Sequence, residues 1–117
     1  MEKMNKALSH CQVCPRNCGA DRENGFLGYC RKPSGLTVSR ASLHMWEEPC
    51  ISGSCGSGTV FFAGCTLRCA FCQNYQISQK GMGKNLSTDE FADLCLKLQS
   101  EGAENVNIVT GSHHIPV

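Results

Sequence analysis

Apolar residues are spread unevenly along this chain, and the unevenness divides it near residue 58. In the first 58 residues they are mostly isolated. Leu36 to Val38 and Ala41 to Met45 carry enough of them to predict two short strands ahead of Trp46. Met4, Ala7 and Leu8 fall at helical spacing and predict a short helix over 2–9. The stretch 11–35 holds four cysteines, four glycines and two prolines with little periodicity, which predicts a loop-rich knot that needs a ligand to fix it. Ile51-Ser-Gly-Ser-Cys-Gly-Ser-Gly58 is small and flexible and marks the junction between the halves.

From Thr59 the pattern changes. Thr59-Val-Phe-Phe-Ala63 is a continuous apolar run, as expected of a parallel strand buried on both faces. Ser87-Thr-Asp-Glu90 spells a capping box, in which the Ser87 hydroxyl accepts from the Glu90 amide and the Glu90 carboxylate reaches back. Phe91, Leu94, Cys95 and Leu98 then recur at i, i+3, i+4 and i+7, one apolar helix face, and Gly102 supplies a stop. Val106-Asn-Ile-Val-Thr110 reads as a second buried strand. Strand, crossover helix and strand predict a right-handed βαβ unit. Such a pair alone leaves both sheet faces and both edges largely uncovered.

The 117 residues leave room for one modest domain, or for a cysteine-rich module of 1–58 followed by part of a larger one, 59–117. The ten cysteines suggest a disulfide scaffold only in a secreted protein. Met1 to His10 carries charges throughout and lacks the apolar core of a secretory signal. No apolar run reaches the roughly 18 residues needed to cross a bilayer. A cytoplasmic protein whose clustered cysteines bind metal is the expectation. The net charge of +1, with basic residues scattered rather than striped, argues against nucleic-acid binding.

Cys65, Cys69 and Cys72 follow the first predicted buried strand as C-x3-C-x2-C, with no fourth cysteine close by. The bland reading is a buried or zinc-binding cysteine loop. Structural zinc wants four ligands, usually as two short pairs, and ferredoxin clusters also use four thiolates. Three thiolates on one tight loop instead suit three irons of a 4Fe-4S cube and leave the fourth iron open. The carboxyl end of a strand is where α/β sheets and barrels place their sites. Gly64 allows the backbone to turn sharply there.

This spacing, with Phe71 just before the last cysteine, resembles the radical S-adenosylmethionine (SAM) enzymes. Cys-Gln-Val-Cys-Pro-Arg-Asn-Cys-Gly at 11–19, Gly25 to Cys30, Trp46-Glu-Glu-Pro-Cys50 and Phe71-Cys-Gln-Asn-Tyr-Gln-Ile-Ser78 resemble its pyruvate formate-lyase activating enzyme-like branch, over nearly the whole chain. The resemblance implies the start of a partial (β/α) barrel, one βαβ unit of about six, preceded by a cysteine-rich, loop-rich metal-binding segment. The remaining barrel is expected in sequence beyond a truncated product, or else from another chain. It also implies a 4Fe-4S cluster at Cys65, Cys69 and Cys72 with SAM on the open iron. Reductive cleavage of SAM then gives methionine and a 5′-deoxyadenosyl radical that abstracts hydrogen. The cofactor carries that chemistry, while protein supplies placement and exclusion of water. Phe71 is expected near the adenine, or else in the core, and Arg68 is expected to face solvent.

Cys11, Cys14, Cys18 and Cys30 form C-x2-C-x3-C-x11-C, a set that suits zinc or a second iron–sulfur cluster in a module too poor in apolar residues to order itself. Cys50 is a candidate to complete or replace one of these ligands. Cys55 has no counterpart in the family, and Cys95 reads as a small hydrophobe on the helix. In Thr110-Gly-Ser-His-His-Ile-Pro116, where the family usually has Thr-Pro-Thr-His, Thr110, His113 and Pro116 match the family while Gly111 and Ser112 depart. Thr110 and His113 are therefore expected to touch SAM or substrate, with an exposed loop histidine as the plain alternative; His114 is a lesser candidate.

The function expected is that of a radical SAM oxidoreductase similar to glycyl-radical enzyme activases. Its partners would be a low-potential donor of flavodoxin or ferredoxin type and a protein substrate such as a glycyl-radical enzyme, with no nucleic acid and no membrane. The rivals are a truncated, non-catalytic zinc or Fe–S module and, more weakly, an electron-transfer protein.

Overall fold

The computed structural model describes residues 7–46, 48–80 and 82–117. A four-stranded sheet organises them in the order β3-β1-β2-β4. Strand β2 (Ser57–Phe62) is central. Strand β1 (Leu36–His44) lies antiparallel on one side of it, from Val38 opposite Phe62 to His44 opposite Ser57. Strand β4 (Val106–Val109) lies parallel on the other, from Gly58 opposite Val106 to Phe61 opposite Val109. Strand β3 (Lys84–Leu86) closes the far side of β1, antiparallel to it, and the Thr37 hydroxyl donates to the Asn85 side-chain oxygen at 3.0 Å across that pairing.

The apolar run at 59–63 is buried as expected apart from the half-buried Phe61, with Val60 and Ala63 fully inaccessible. Three expectations need correction. The two short strands predicted at 36–38 and 41–45 are one nine-residue strand, interrupted by a register shift between Val38 and Arg40. A bulge adds one residue without ending the strand, so Ser39 broke the alternation but not the element. The parallel pair is therefore not bare, because β1 covers the other edge of β2. Strand β4 is not buried: Val106 and Ile108 are 39 % and 56 % exposed, since no described strand pairs along its outer edge. The three residues of β3, Lys-Asn-Leu, carry no alternation that would have announced a strand.

The junction before β2 is more ordered than its composition suggests. A short helix α1 (Pro49–Ser52) starts on Pro49, whose fixed φ and missing N–H suit a first turn. The Asn105 amide donates to Ile51 O at 2.7 Å, and its oxygen accepts from the Ser57 hydroxyl, which fastens α1 to the starts of β2 and β4. After a second short helix, α2 (Tyr75–Ser78), the crossover helix α3 (Thr88–Ser100) begins at the predicted capping box, with both bonds formed at 3.1 Å. It ends in a Schellman arrangement: Gly102, at φ 96°, donates to Gln99 O, and Ala103 donates to Leu98 O.

Helix α3 lays Phe91, Leu94 and Leu98 on the sheet, where Leu98 joins Leu36, Val38, Val60 and Phe62 in the buried core. The Phe62 and Phe91 rings sit 5.5 Å apart. Of the helix predicted at 2–9, residues 7–9 are helical with Leu8 buried, while 2–6 lie outside the described residues. The stretch 11–35 is loop apart from a 3-10 turn at Arg22–Asn24, capped by the Asp21 carboxylate. No helix among the described residues is long and apolar enough to cross a membrane.

Candidate functional site at the carboxyl ends of β2 and β4

Strand β2 hands the chain to its cysteine loop at Gly64, which adopts φ 83°. A Cβ at this position would stand 2.7 Å from the Cys30 carbonyl oxygen and 2.7 Å from Lys32 Cγ. Glycine is thus required twice, for the turn and for the close approach of the first segment. The Gly64 amide donates to Ile77 O at 3.0 Å, so α2 closes the loop from behind. Cys65, Cys69 and Cys72 all lie on this loop, each half-buried and free. The Leu67 amide donates to Cys65 Sγ at 3.4 Å and the Ser78 hydroxyl to Cys72 Sγ at 3.3 Å, while Cys72 N donates to Cys69 O and the Gln79 amide also reaches Cys69 O. Among the described residues, no three His, Cys, Asp or Glu side chains surround a point where a single metal ion would sit.

The first segment packs against this same end of the sheet. Cys11 and Cys30 are buried, Cys14 is half-buried and Cys18 is exposed. The Cys11, Cys18 and Cys30 thiols interact with one another, and a Cβ on Gly28 would lie 3.1 Å from Cys18 Sγ and 3.8 Å from Cys30 Sγ. Cys14 stands on the adjacent turn, which the Asn17 amide closes onto Cys14 O. Hydrogen bonds, first from the Ala20 backbone, lower the Cys18 pKa. Burial raises that of Cys30 against opposing help from the Lys32 backbone and Arg22. Arg22 itself is only 1 % exposed. Its guanidinium donates to Lys32 O at 2.9 Å, Pro33 O at 3.0 Å and Cys11 Sγ at 3.6 Å, two carbonyls and a thiol rather than a carboxylate. Cys50, on α1, and Cys55, just after it, are exposed at the opposite end of β2. A six-residue strand spans about 20 Å, so Cys50 does not complete the set made by Cys11, Cys18 and Cys30.

At the end of β4 the chain meets the same region. Thr110 sits at φ 57°, and His113 and His114 are both buried rather than exposed loop histidines. His113 Nε2 lies 2.8 Å from Ala63 O; since a carbonyl only accepts, Nε2 carries the proton there. His113 Nδ1 and both nitrogens of His114 are buried without a hydrogen-bond partner. Burial lowers both imidazole pKa values, that of His114 to about 3, so His114 is neutral near pH 7. The His114 ring packs 5.1 Å from Phe62 and 4.1 Å from His113, and it lines a cavity of about 390 Å³ with Leu36, Phe62 and Ile108.

Phe71 is 91 % exposed, which excludes the core role. Arg68 does not simply face solvent. Its side chain is half-buried, its Nε is enclosed without a hydrogen bond, and its guanidinium lies 5.2 Å from the Tyr29 ring. Among the described residues, the non-glycine residues at positive φ are Asn17, Arg31, Arg68 and Thr110. Each adjoins a candidate ligand or ends β4. Such backbone costs of order 1–3 kcal/mol apiece and persists where surrounding structure imposes it, commonly at functional sites. Local pattern carries no sign of the buried Arg22 or of the burial of His113 and His114. An arginine between Asp21 and Glu23 reads as surface charge until the loop closes over it.

The chain is 32 % identical over 111 residues to an uncharacterised protein of Methanocaldococcus jannaschii, an alignment covering 89 % of this chain and 31 % of that relative. It therefore spans about a third of the length of the protein it matches. No solved structure matches it. Residues 59–116, from the heart of β2 through the cysteine loop to the buried histidines, match the family model of the radical SAM superfamily.

Proposed function

We propose that this chain carries the cluster-binding and SAM-binding part of a radical SAM oxidoreductase, similar to the activases of glycyl-radical enzymes. The observation that carries the reading is the grouping of Cys65, Cys69 and Cys72 on the loop that leaves the carboxyl end of the central buried strand at Gly64. The donor set fits a 4Fe-4S cluster. Its soft thiols are partly accessible, two of the sulfurs already accept hydrogen bonds, and such bonds to sulfur tune cluster potential. A cluster takes each thiolate on a different iron, so the sulfurs need not converge on one point. When bound, the group supplies the electron that cleaves SAM into methionine and a 5′-deoxyadenosyl radical. Phe71 offers an exposed ring to the adenine. His113 holds Ala63 O, and so fixes the turn from which Cys65 departs. Thr110 lies beside it at the end of β4. A cytoplasmic setting, a flavodoxin- or ferredoxin-type donor and a glycyl-radical protein substrate complete the reading.

A second metal at the first segment is favoured by Arg22. A buried cation is costly unless a negative charge compensates it. Thiolates at Cys11, Cys18 and Cys30, with Cys14 from the adjacent turn, would supply that charge on binding a second cluster, which takes each thiolate on a different iron; a single zinc would need the sulfurs to converge on one point, which no three of them do among the described residues.

The test is electron paramagnetic resonance of the anaerobically reconstituted, reduced protein. A 4Fe-4S signal that changes on adding SAM is expected, and loss of that signal in the combined Cys65→Ala, Cys69→Ala, Cys72→Ala variant with metal retained at the first segment. A signal indifferent to SAM would leave the rival, a non-catalytic metal-binding module, as the better reading.

A further inference from the structure

The geometry points to Arg16 as a positioning residue that braces the Cys65–Cys72 loop. Through it the first segment of the chain sets the conformation in which the three thiols receive their ligand. The inference rests on the cluster-binding reading above. Arg16 Nε donates to Thr66 O at 2.9 Å and Arg16 Nη2 to Leu67 O at 3.1 Å, reaching fifty residues along the chain. These two consecutive carbonyls lie between the first two cysteines of the loop. The planar fork of a guanidinium suits two adjacent acceptors, whereas an ammonium meets them only as a point charge. The same guanidinium lies 4.0 Å over the Tyr29 ring, and Arg68, from inside the loop, lies 5.2 Å from that ring. Tyr29 is thus shared between an arginine of the first segment and one of the loop.

Each end of the brace is stiff. Arg16 sits between Cys14 and Cys18 on a turn closed by Asn17 N to Cys14 O. The base of that turn is tied by Cys11 N to Ala20 O and Gly19 N to Cys11 O, all at 2.9–3.0 Å. On the other side Arg68 occupies φ 55° directly after Leu67, a conformation that needs an external hold. The brace also places a positive charge on the loop that carries the three thiols. A cation there favours the more negative, reduced state of a bound cluster, so its removal moves the reduction potential to more negative values.

The experiment compares the full chain with its Arg16→Ala and Arg16→Lys variants by two readouts. In the metal-free proteins, amide hydrogen exchange over 65–72 should rise about threefold to tenfold in both variants, the low end of the range for a charge-assisted pair because Arg16 is exposed. Exchange in β2 should not change. In reconstituted protein, Arg16→Ala should lose iron to a chelator faster and show a more negative potential. Arg16→Lys should lose iron as fast but keep a potential near the wild type, which separates the fork from the charge. Loop exchange equal to the wild type in Arg16→Ala overturns the brace. Reconstitution that places no cluster at Cys65–Cys72 in any variant refutes the proposed function instead, and exchange in the metal-free chain still decides the role of Arg16.

Discussion

Around Val60 and Phe62 the chain buries apolar side chains, pairs β2 on both edges and lays α3 across one face. Beyond the end of β2, past Gly64, the buried groups include Arg22, Cys11, Cys30, His113 and His114. Three of the four imidazole nitrogens there lack a partner. The sheet is stable by the ordinary means of area removed from water. The loops above it hold groups whose burial opposes folding, since each unsatisfied polar atom costs about 1–3 kcal/mol. The lower region therefore holds the upper one in place, and a ligand bound by the thiols or the imidazoles has the most to add where the protein alone is least satisfied.

That dependence is open to a direct attack. Phe62 is 3 % exposed, touches Phe91 and His114, and belongs to both regions. Phe62→Ala should destabilise the chain by about 3–5 kcal/mol. Urea unfolding followed by circular dichroism and by reactivity of the loop thiols should show both probes shifting together. The reverse change, Cys69→Ala, removes a half-buried side chain of the loop and should move the metal-free midpoint by no more than about 0.5 kcal/mol. Thiol reactivity that stays at the wild-type level while the sheet of Phe62→Ala unfolds would mean that the loops stand independently.

What the sequence revealed follows the same division. The buried run at 59–63, the capping box at Ser87 and the Gly102 stop were legible because periodicity and capping act over a few neighbouring residues. The single strand β1 looks like two in sequence because Ser39 hides a bulge, and β3 has no signature there because a three-residue strand is specified by its partner rather than by its own pattern. In the upper region the cysteine spacing was legible and the brace was not. Arg16 meets Thr66 and Leu67 only after the chain has folded back over fifty residues, and no local pattern encodes that meeting. Burial of His113 and His114 was likewise hidden, since both sit in a short polar run after β4.

Acid should expose the difference next. The folded pKa of His114 lies at about 3 against 6.5 when unfolded, and that of His113 is lowered too. Between those pH values the unfolded chain binds the proton and the folded chain does not, so stability falls as pH falls. From pH 7 to pH 5 His114 alone should cost about 2 kcal/mol, with His113 acting in the same direction. The slope should shrink in His114→Leu. Denaturation midpoints that stay flat from pH 7 to pH 5 in the wild type would mean that the imidazoles are solvated, and the contrast between the regions would lose its strongest member.

A smaller loss than that of His114 belongs to the lower region and serves as its control. Ser87 and Glu90 exchange two 3.1 Å bonds at an exposed helix start. When Ser87→Ala removes the hydroxyl, the freed Glu90 amide finds water, so the loss should be about 1 kcal/mol rather than the cost of a buried orphan. Helix α3 reaches the upper region through the packing of Phe91 on Phe62, which the change leaves intact. The midpoint should therefore drop slightly with no change in thiol reactivity of the folded protein and no change in the pH slope. A larger loss than Phe62→Ala causes would place the stability of this chain in the nucleation of α3 rather than in the burial around β2, and would reverse the order of dependence argued for the two regions.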